Sequence, residues 1–180
     1  MKKATAERIR KRTLAYLKRA HIVVTRKEAE NVEVADFGLG DIKSIGLELI
    51  VYESNDRYCA KELVLFPRQT CPEHRHPPLG EGNIGKQETF RCRWGEVYLY
   101  TEGPPAPKPR AKLPGKYREN FTVWHEIVLR PGEQYTLPPN MLHWFQAGEK
   151  GAIVSEFSTR NTDESDYFTD RRIQRTPVYE

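Results

Sequence analysis

CPEHRHPPLGEGNIGKQETF, residues 71–90, sets His74 and His76 two apart and Lys86 and Glu88 two apart, with a Gly- and Pro-rich loop between the pairs. Two residues is the strand period, so each pair projects from one face of a β-strand. The loop has the composition of a hairpin connection. The chain has five histidines, and two of them stand here beside a carboxylate. Two imidazoles and one carboxylate brought together by a hairpin are most of a metal site.

The runs on either side extend this strand reading. GLELIVYESN, KELVLFP, GEVYLYTEG, FTVWHEIVLRPG, QYTLP and GAIVSEFST are short and rich in Val, Ile, Tyr and Phe, with Pro and Gly at most of the breaks. No helical pattern interrupts residues 45–158, which predicts an antiparallel sandwich or barrel. Ahead of it, Ala6, Ile9, Leu14 and Leu17 give Thr5–Lys18 one apolar helical stripe, and Thr25 is placed to cap a short helix beginning RKEAEN. The expected division is an N-terminal helical extension over 1–35 and a β-barrel domain with a polar C-terminal tail over 36–180. One barrel suits a chain of 180 residues.

The totals exclude several classes. No apolar run is long enough to cross a bilayer, and the start, MKKATAERIRKRTLAYLKRAHIVV, lacks the continuous apolar core of a signal peptide. Cys59, Cys71 and Cys92 are odd in number and form no CxxC pair, which fits free thiols in a reducing cytoplasm. The net charge of +4 comes from a basic first helix with no interleaved aromatics, and it reads as a solvated face rather than a nucleic-acid surface. Neither a nucleic-acid nor a membrane partner is expected.

His143 completes a ligand set. His74 and His76 share a face, Glu88 enters from the adjoining strand and His143 from a distant one, so all four can meet inside a barrel. Three imidazoles and one carboxylate suit Mn²⁺, Fe²⁺, Zn²⁺, Co²⁺ or Ni²⁺ and leave positions open on a six-coordinate ion. His125 shares a strand face with Ile127 and Leu129 and is expected to be packed or hydrogen-bonded. His21 is expected at the surface, and Cys71 as a buried thiol rather than a ligand. Glu156 shares a face with Val154 in AIVSEFS; a carboxylate so flanked is either outward or paired and used.

The spacing His74-x-His76, eleven residues, Glu88, six residues, Gly95, followed by Gly132, five residues, Pro138-Pro139-Asn140, two residues, His143, resembles the two motifs of the cupin superfamily. The resemblance implies a cupin double-stranded β-helix, an antiparallel barrel. The gap before Glu88 is longer than usual, and Asn140 stands where Gly is common; Asn tolerates the left-handed conformation such a turn needs. HRHPP, GKQETFRCRWG and EFSTRNTDE together resemble the D-lyxose isomerases, cupin aldose–ketose isomerases, over about residue 36 to the C-terminus. That family often has Glu where Gln87 stands, at a position expected to point away from the metal.

This resemblance implies a divalent metal, usually Mn²⁺, on His74, His76, Glu88 and His143, and a homodimer acting on a small-molecule sugar. D-lyxose and D-xylulose would be interconverted, with D-mannose and D-fructose as a second pair. Glu156 would move the proton between C1 and C2, and Lys86 would supply charge or a proton at the sugar oxygens, its pKa kept below the free value by the nearby divalent cation. Asp166 and Asp170, in the polar tail with Asp163, are the expected contacts to distal hydroxyls. The competing readings are a cupin-type phosphoglucose isomerase with arginines at the mouth, a cupin dioxygenase, and a non-enzymatic sugar-binding cupin.

Overall fold

In a computed structural model that describes all 180 residues, the N-terminal stripe forms helix α1, Lys3–Arg19, which buries Ala6, Ile9, Thr13, Tyr16 and Leu17. Its basic residues Lys11, Lys18 and Arg19 stay exposed, with Lys18 and Arg19 in the last turn, where cations favour the helix dipole. Helix α2, Arg26–Glu30, opens on a capping box in which Thr25 and Glu28 satisfy each other's backbone N–H. No helix is long and apolar enough to cross a membrane.

The strands are β1 Glu33–Ala35, β2 Leu47–Ser54, β3 Cys59–Leu65, β4 Thr70–Arg75, β5 Glu88–Thr101, β6 His125–Leu129, β7 Gln134–Leu137, β8 His143–Ser158 and β9 Tyr167–Phe168. All their pairings are antiparallel, in one curled sheet. The mainly β barrel expected from the strand rhythm is therefore present. One 3₁₀ turn, Gly115–Asn120, does interrupt the run read as strands only. It is too short to show a helical period, and it buries Tyr117 against the main core.

Two long strands close the barrel. The C-terminal half of β8 pairs with β3 and the start of β5, while its N-terminal half pairs with β4 and the end of β5. The strands turn the corner at Gly95 and Gly151, both with positive φ (73° and 94°). A Cβ on Gly95 would sit 2.1 Å from the Gly151 carbonyl oxygen, so the close crossing requires glycine. Asn140 has φ 61°, the left-handed conformation expected of it.

Alternation splits the apolar residues between two faces. Leu47, Leu49, Leu63, Phe90, Leu99, Phe145 and Val154 fill the barrel. Ile50, Val64 and Ile153 pack outward under Ile9, Tyr16 and Leu17 of α1. Among the carboxylates buried outside the site, Glu48 is fully covered; it accepts a 3.0 Å bond from Gln69 Nε2, while its Oε2 has no partner. Burial pushes its pKa up to about 8, against smaller opposing contributions from Gln69 and Arg12.

Candidate active site and metal centre

The strand ends bring the ligand residues to one mouth of the barrel. His74 lies in β4 directly opposite His143, the first residue of β8. Glu88 is the first residue of β5, and His76 follows β4. The three imidazoles offer nitrogens within 4.8 Å of one another, with ring centroids 4.3 to 5.6 Å apart. All four side chains are buried. The connection from His76 to Gln87 absorbs the long gap, but it is not the expected hairpin: β4 pairs with β8 and β9, and Glu88 reaches the site from β5 across β8. Gln87 points out to solvent, as expected.

Each imidazole is oriented through Nδ1. His74 Nδ1 lies 2.8 Å from the Pro72 carbonyl and His143 Nδ1 3.0 Å from that of Met141. His76 Nδ1 is bonded to the Asp166 carboxylate. These bonds place the proton on Nδ1 and leave the Nε2 lone pairs for a ligand. Nε2 of His76, Nε2 of His143 and Oε2 of Glu88 are buried and make no hydrogen bond. Buried polar atoms without partners are costly, and these three converge: Nε2 of His76 and of His143 lie 3.1 and 3.4 Å from Glu88 oxygens. The set fits a divalent cation.

The electrostatics follow from burial among charges. Burial, then His143 and His76, hold His74 well below the usual imidazole range. For His76 burial works in the same direction, but Glu88 and Asp166 outweigh it and raise the pKa to about 10, so a cation taking Nε2 of His76 displaces a proton from it. Glu88 is held well below the carboxylate range: burial opposes this, and His76 and Lys86 overcome it.

Lys86 and Glu156 meet beside the ligands. Lys86 precedes β5 yet turns inward, its Nζ 2.6 Å from Glu88, 2.8 Å from Asp163 and 3.0 Å from Glu156. Glu156 is buried in the barrel, 5% exposed, so the outward alternative for that strand face is excluded. The expected depression of the Lys86 pKa belongs to a site holding a divalent cation; the protein's own groups work the other way. Burial does lower it, but Glu156, Glu88 and Asp163 together raise it well above the free value.

The tail supplies more of the site than sequence reasoning assigned to it. Asp166 reaches the site through His76. Asp170 does not line the cavity; its carboxylate is taken up by Arg172 at 2.6 and 2.9 Å. Asp163, set behind both in the sequence reading, accepts from Lys61, Lys86 and Arg175. Lys61 and Arg175 were not singled out: Lys61 looks like any strand lysine, and Arg175 lies well past the last long strand. The only available signal for Lys61 was its alternation with apolar Leu63 and Leu65.

These groups line one narrow cavity that also has an apolar lining, built from Leu47, Leu63, Phe90, Phe145 and Phe168. Cys71 is a buried thiol in that lining. His125 is bonded to the Pro104 carbonyl and His21 is exposed, as expected. Arg75, Arg91 and Arg93 line no part of the cavity: Arg75 lies over Tyr167, Arg91 bonds Gln134 and Arg93 bonds Ser155.

A sequence model of the family described as D-lyxose isomerase matches residues 110–180. A D-lyxose ketol-isomerase of a Thermofilum species is 61% identical, over 97% of each chain. A D-lyxose/D-mannose isomerase of Thermosediminibacter oceani is also 61% identical, over 100% of this chain and 99% of its own. A D-lyxose ketol-isomerase of Cohnella laeviribosi is 58% identical, over 95% and 93%. Among solved structures, L-ribose isomerase of Acinetobacter sp. DL28 in complex with L-ribose superposes with a TM-score of 0.81 at 14% identity, over 96% of this chain and 94% of its own. At that identity the likeness concerns the fold, a cupin barrel preceded by a helix.

Proposed function

Because the chain belongs to the D-lyxose isomerase family, and is thus an aldose–ketose isomerase, we propose that it interconverts D-lyxose and D-xylulose, with D-mannose and D-fructose as a second pair. The observation that carries the chemistry is the contact of an ion pair, Lys86 with Glu156 at 3.0 Å, with a set of buried, unpartnered ligand atoms in one cavity. His74, His76, Glu88 and His143 are the proposed ligands, and Mn²⁺ the proposed ion, with Co²⁺, Fe²⁺, Zn²⁺ and Ni²⁺ as alternatives. Bound there, the ion would supply Lewis-acid stabilisation of the negative charge that proton transfer puts on the sugar oxygens.

The residues around that centre have distinct tasks. Glu156 takes the proton from one of C1 and C2 and returns it to the other. Its burial keeps the abstracted proton from exchanging freely with solvent. Lys86, whose three carboxylate neighbours keep it protonated, acts as a fixed positive charge and proton donor at the sugar oxygens rather than as a base. Asp166 holds His76 with Nε2 toward the centre. The apolar wall excludes water from the reacting carbons.

A neutral sugar is favoured over a phosphosugar because Arg75, Arg91 and Arg93 lie away from the cavity, and Arg175 is already committed to Glu33 and Asp163. A dioxygenase would have no use for the Lys86–Glu156 pair. We place the enzyme in the cytoplasm on the strength of three buried free thiols. We read it as a homodimer, which the exposed Val51, Tyr52 and Phe157 on β2 and β8 support.

Ketose formation from D-lyxose by chelator-stripped protein, with and without Mn²⁺, tests the reading. Turnover should depend on the added ion. Glu156→Gln should lower kcat by roughly a thousandfold while calorimetry still finds the ion bound. A Glu156→Gln protein of full activity would remove Glu156 from the proton path.

A further inference from the structure

Asp163 lies at a meeting of three cations, two of them buried. Lys61 Nζ is 2.6 Å from its Oδ2 and Lys86 Nζ 2.8 Å from its Oδ1. Arg175 Nη2 is 3.1 Å from Oδ2 and ties the same carboxylate to Glu33 of β1 through its other nitrogen. Asp163 is 8% exposed and Lys61 3%. Lys61 stands directly opposite Glu156 in the β3–β8 register, yet its Nζ stops 3.5 Å from Glu156 Oε1. Its closer contacts are Asp163 and the Asn161 side chain at 3.0 Å. Glu156 Oε1 is buried, with Lys86 Nζ at 3.0 Å as its closer ammonium contact and no hydrogen bond of good geometry.

Resting on the reading of Glu156 as proton carrier, we propose that Asp163 is a positioning residue that draws Lys61 off Glu156, leaving that carboxylate closely paired with Lys86 alone and able to turn toward the sugar carbons. The reason is the number of charges and their distances. In low dielectric each buried ammonium moves to a carboxylate within reach. With Asp163 present, Lys61 and Lys86 share its two oxygens. Without its charge, Glu156 is the nearest carboxylate left to Lys61, and Lys86 is already 3.0 Å from the same oxygen. A Glu156 clamped by two ammonium groups can no longer turn toward a substrate carbon, although nothing in the metal site or the sugar contacts has been removed. Asp163 thus acts through Lys61.

The test is steady-state turnover of D-lyxose by the Mn²⁺-loaded full chain as wild type, Asp163→Asn, Lys61→Met and the double variant. Asp163→Asn should lower kcat by about thirtyfold with KM within about threefold, and adding Lys61→Met should return roughly tenfold of the loss. A double variant no faster than Asp163→Asn overturns the proposal. So does an Asp163→Asn protein whose KM rises at unchanged kcat, since that marks a direct sugar contact. Thermal melts of the same four proteins read the charge pairing without turnover: Asp163→Asn should lower Tm less in the Lys61→Met background, and additive shifts would overturn it. If Asp163→Asn alone does not fold, a double variant that folds supports the proposal and one that also fails refutes it. A wild type inert toward D-lyxose would sink the isomerase reading instead, and the melts would then decide the placement of Lys61 by themselves.

Discussion

Replacing Glu48 by Gln should stabilise the protein, and by an amount that grows with pH. Glu48 lies in β2 on the sheet face opposite the barrel interior, fully buried, with a single hydrogen-bond donor in Gln69. Its pKa is near 4.5 in the unfolded chain and about 8 in the fold. Between those values the folded state binds the proton and the unfolded state releases it. Stability contributed by this group is therefore intact below about pH 4.5 and lost as pH rises toward 8. At 1.36 kcal/mol per unit, the loss is about 3 kcal/mol at pH 7 and below about 1 kcal/mol at pH 5. Gln keeps the acceptor for Gln69 and cannot ionise, so Glu48→Gln escapes the loss. The assay is guanidinium unfolding of both proteins at pH 5, 6, 7 and 8. The stability gap should open by roughly 2 to 3 kcal/mol between pH 5 and 7. A gap that stays constant or narrows would mean that Glu48 is ionised in the fold and balanced by Arg12, and the burial argument would be wrong.

Two further outcomes follow from the site and the barrel corner. Asp166→Ala leaves His76 Nδ1 without its acceptor and allows the proton to move to Nε2, so Mn²⁺ affinity measured by calorimetry should fall about 10- to 100-fold; affinity within twofold of wild type would show that Asp166 does not set the tautomer. Gly95→Ala, whose Cβ would meet the Gly151 carbonyl at 2.1 Å with φ at 73°, should cost at least about 2 kcal/mol in chemical denaturation. An unchanged midpoint would mean that the β5–β8 crossing can open.

The sequence alone determined the parts of this protein that depend on local spacing. Period-two alternation and Gly/Pro punctuation specify strands because side-chain direction in a strand is a property of the backbone. Hence the barrel class, and His74, His76, Glu88 and His143 as one group, are legible from residue order. Thr25 and Glu28 announce α2 in the same way, since a cap is made within four residues. Asn140 shows that even a departure from a motif can be understood from one residue's tolerance of positive φ.

Tertiary structure decided what depends on which distant side chains share a buried volume. Apart from its alternation with Leu63 and Leu65, nothing near Lys61 in the chain distinguishes it from a surface lysine; its register opposite Glu156 and its distance to Asp163, about a hundred residues on, give it a role. The tail illustrates the same limit from the other side. Asp163, Asp166 and Asp170 are equivalent as letters, and only the path of the chain around β9 sends one to three cations, one to His76 and one to Arg172. The direction of the Lys86 shift also belongs here. Burial alone would lower that pKa, but three carboxylates from β5, β8 and the tail converge on one ammonium. The sum of such opposing charges is fixed by distances that exist only once the barrel has closed.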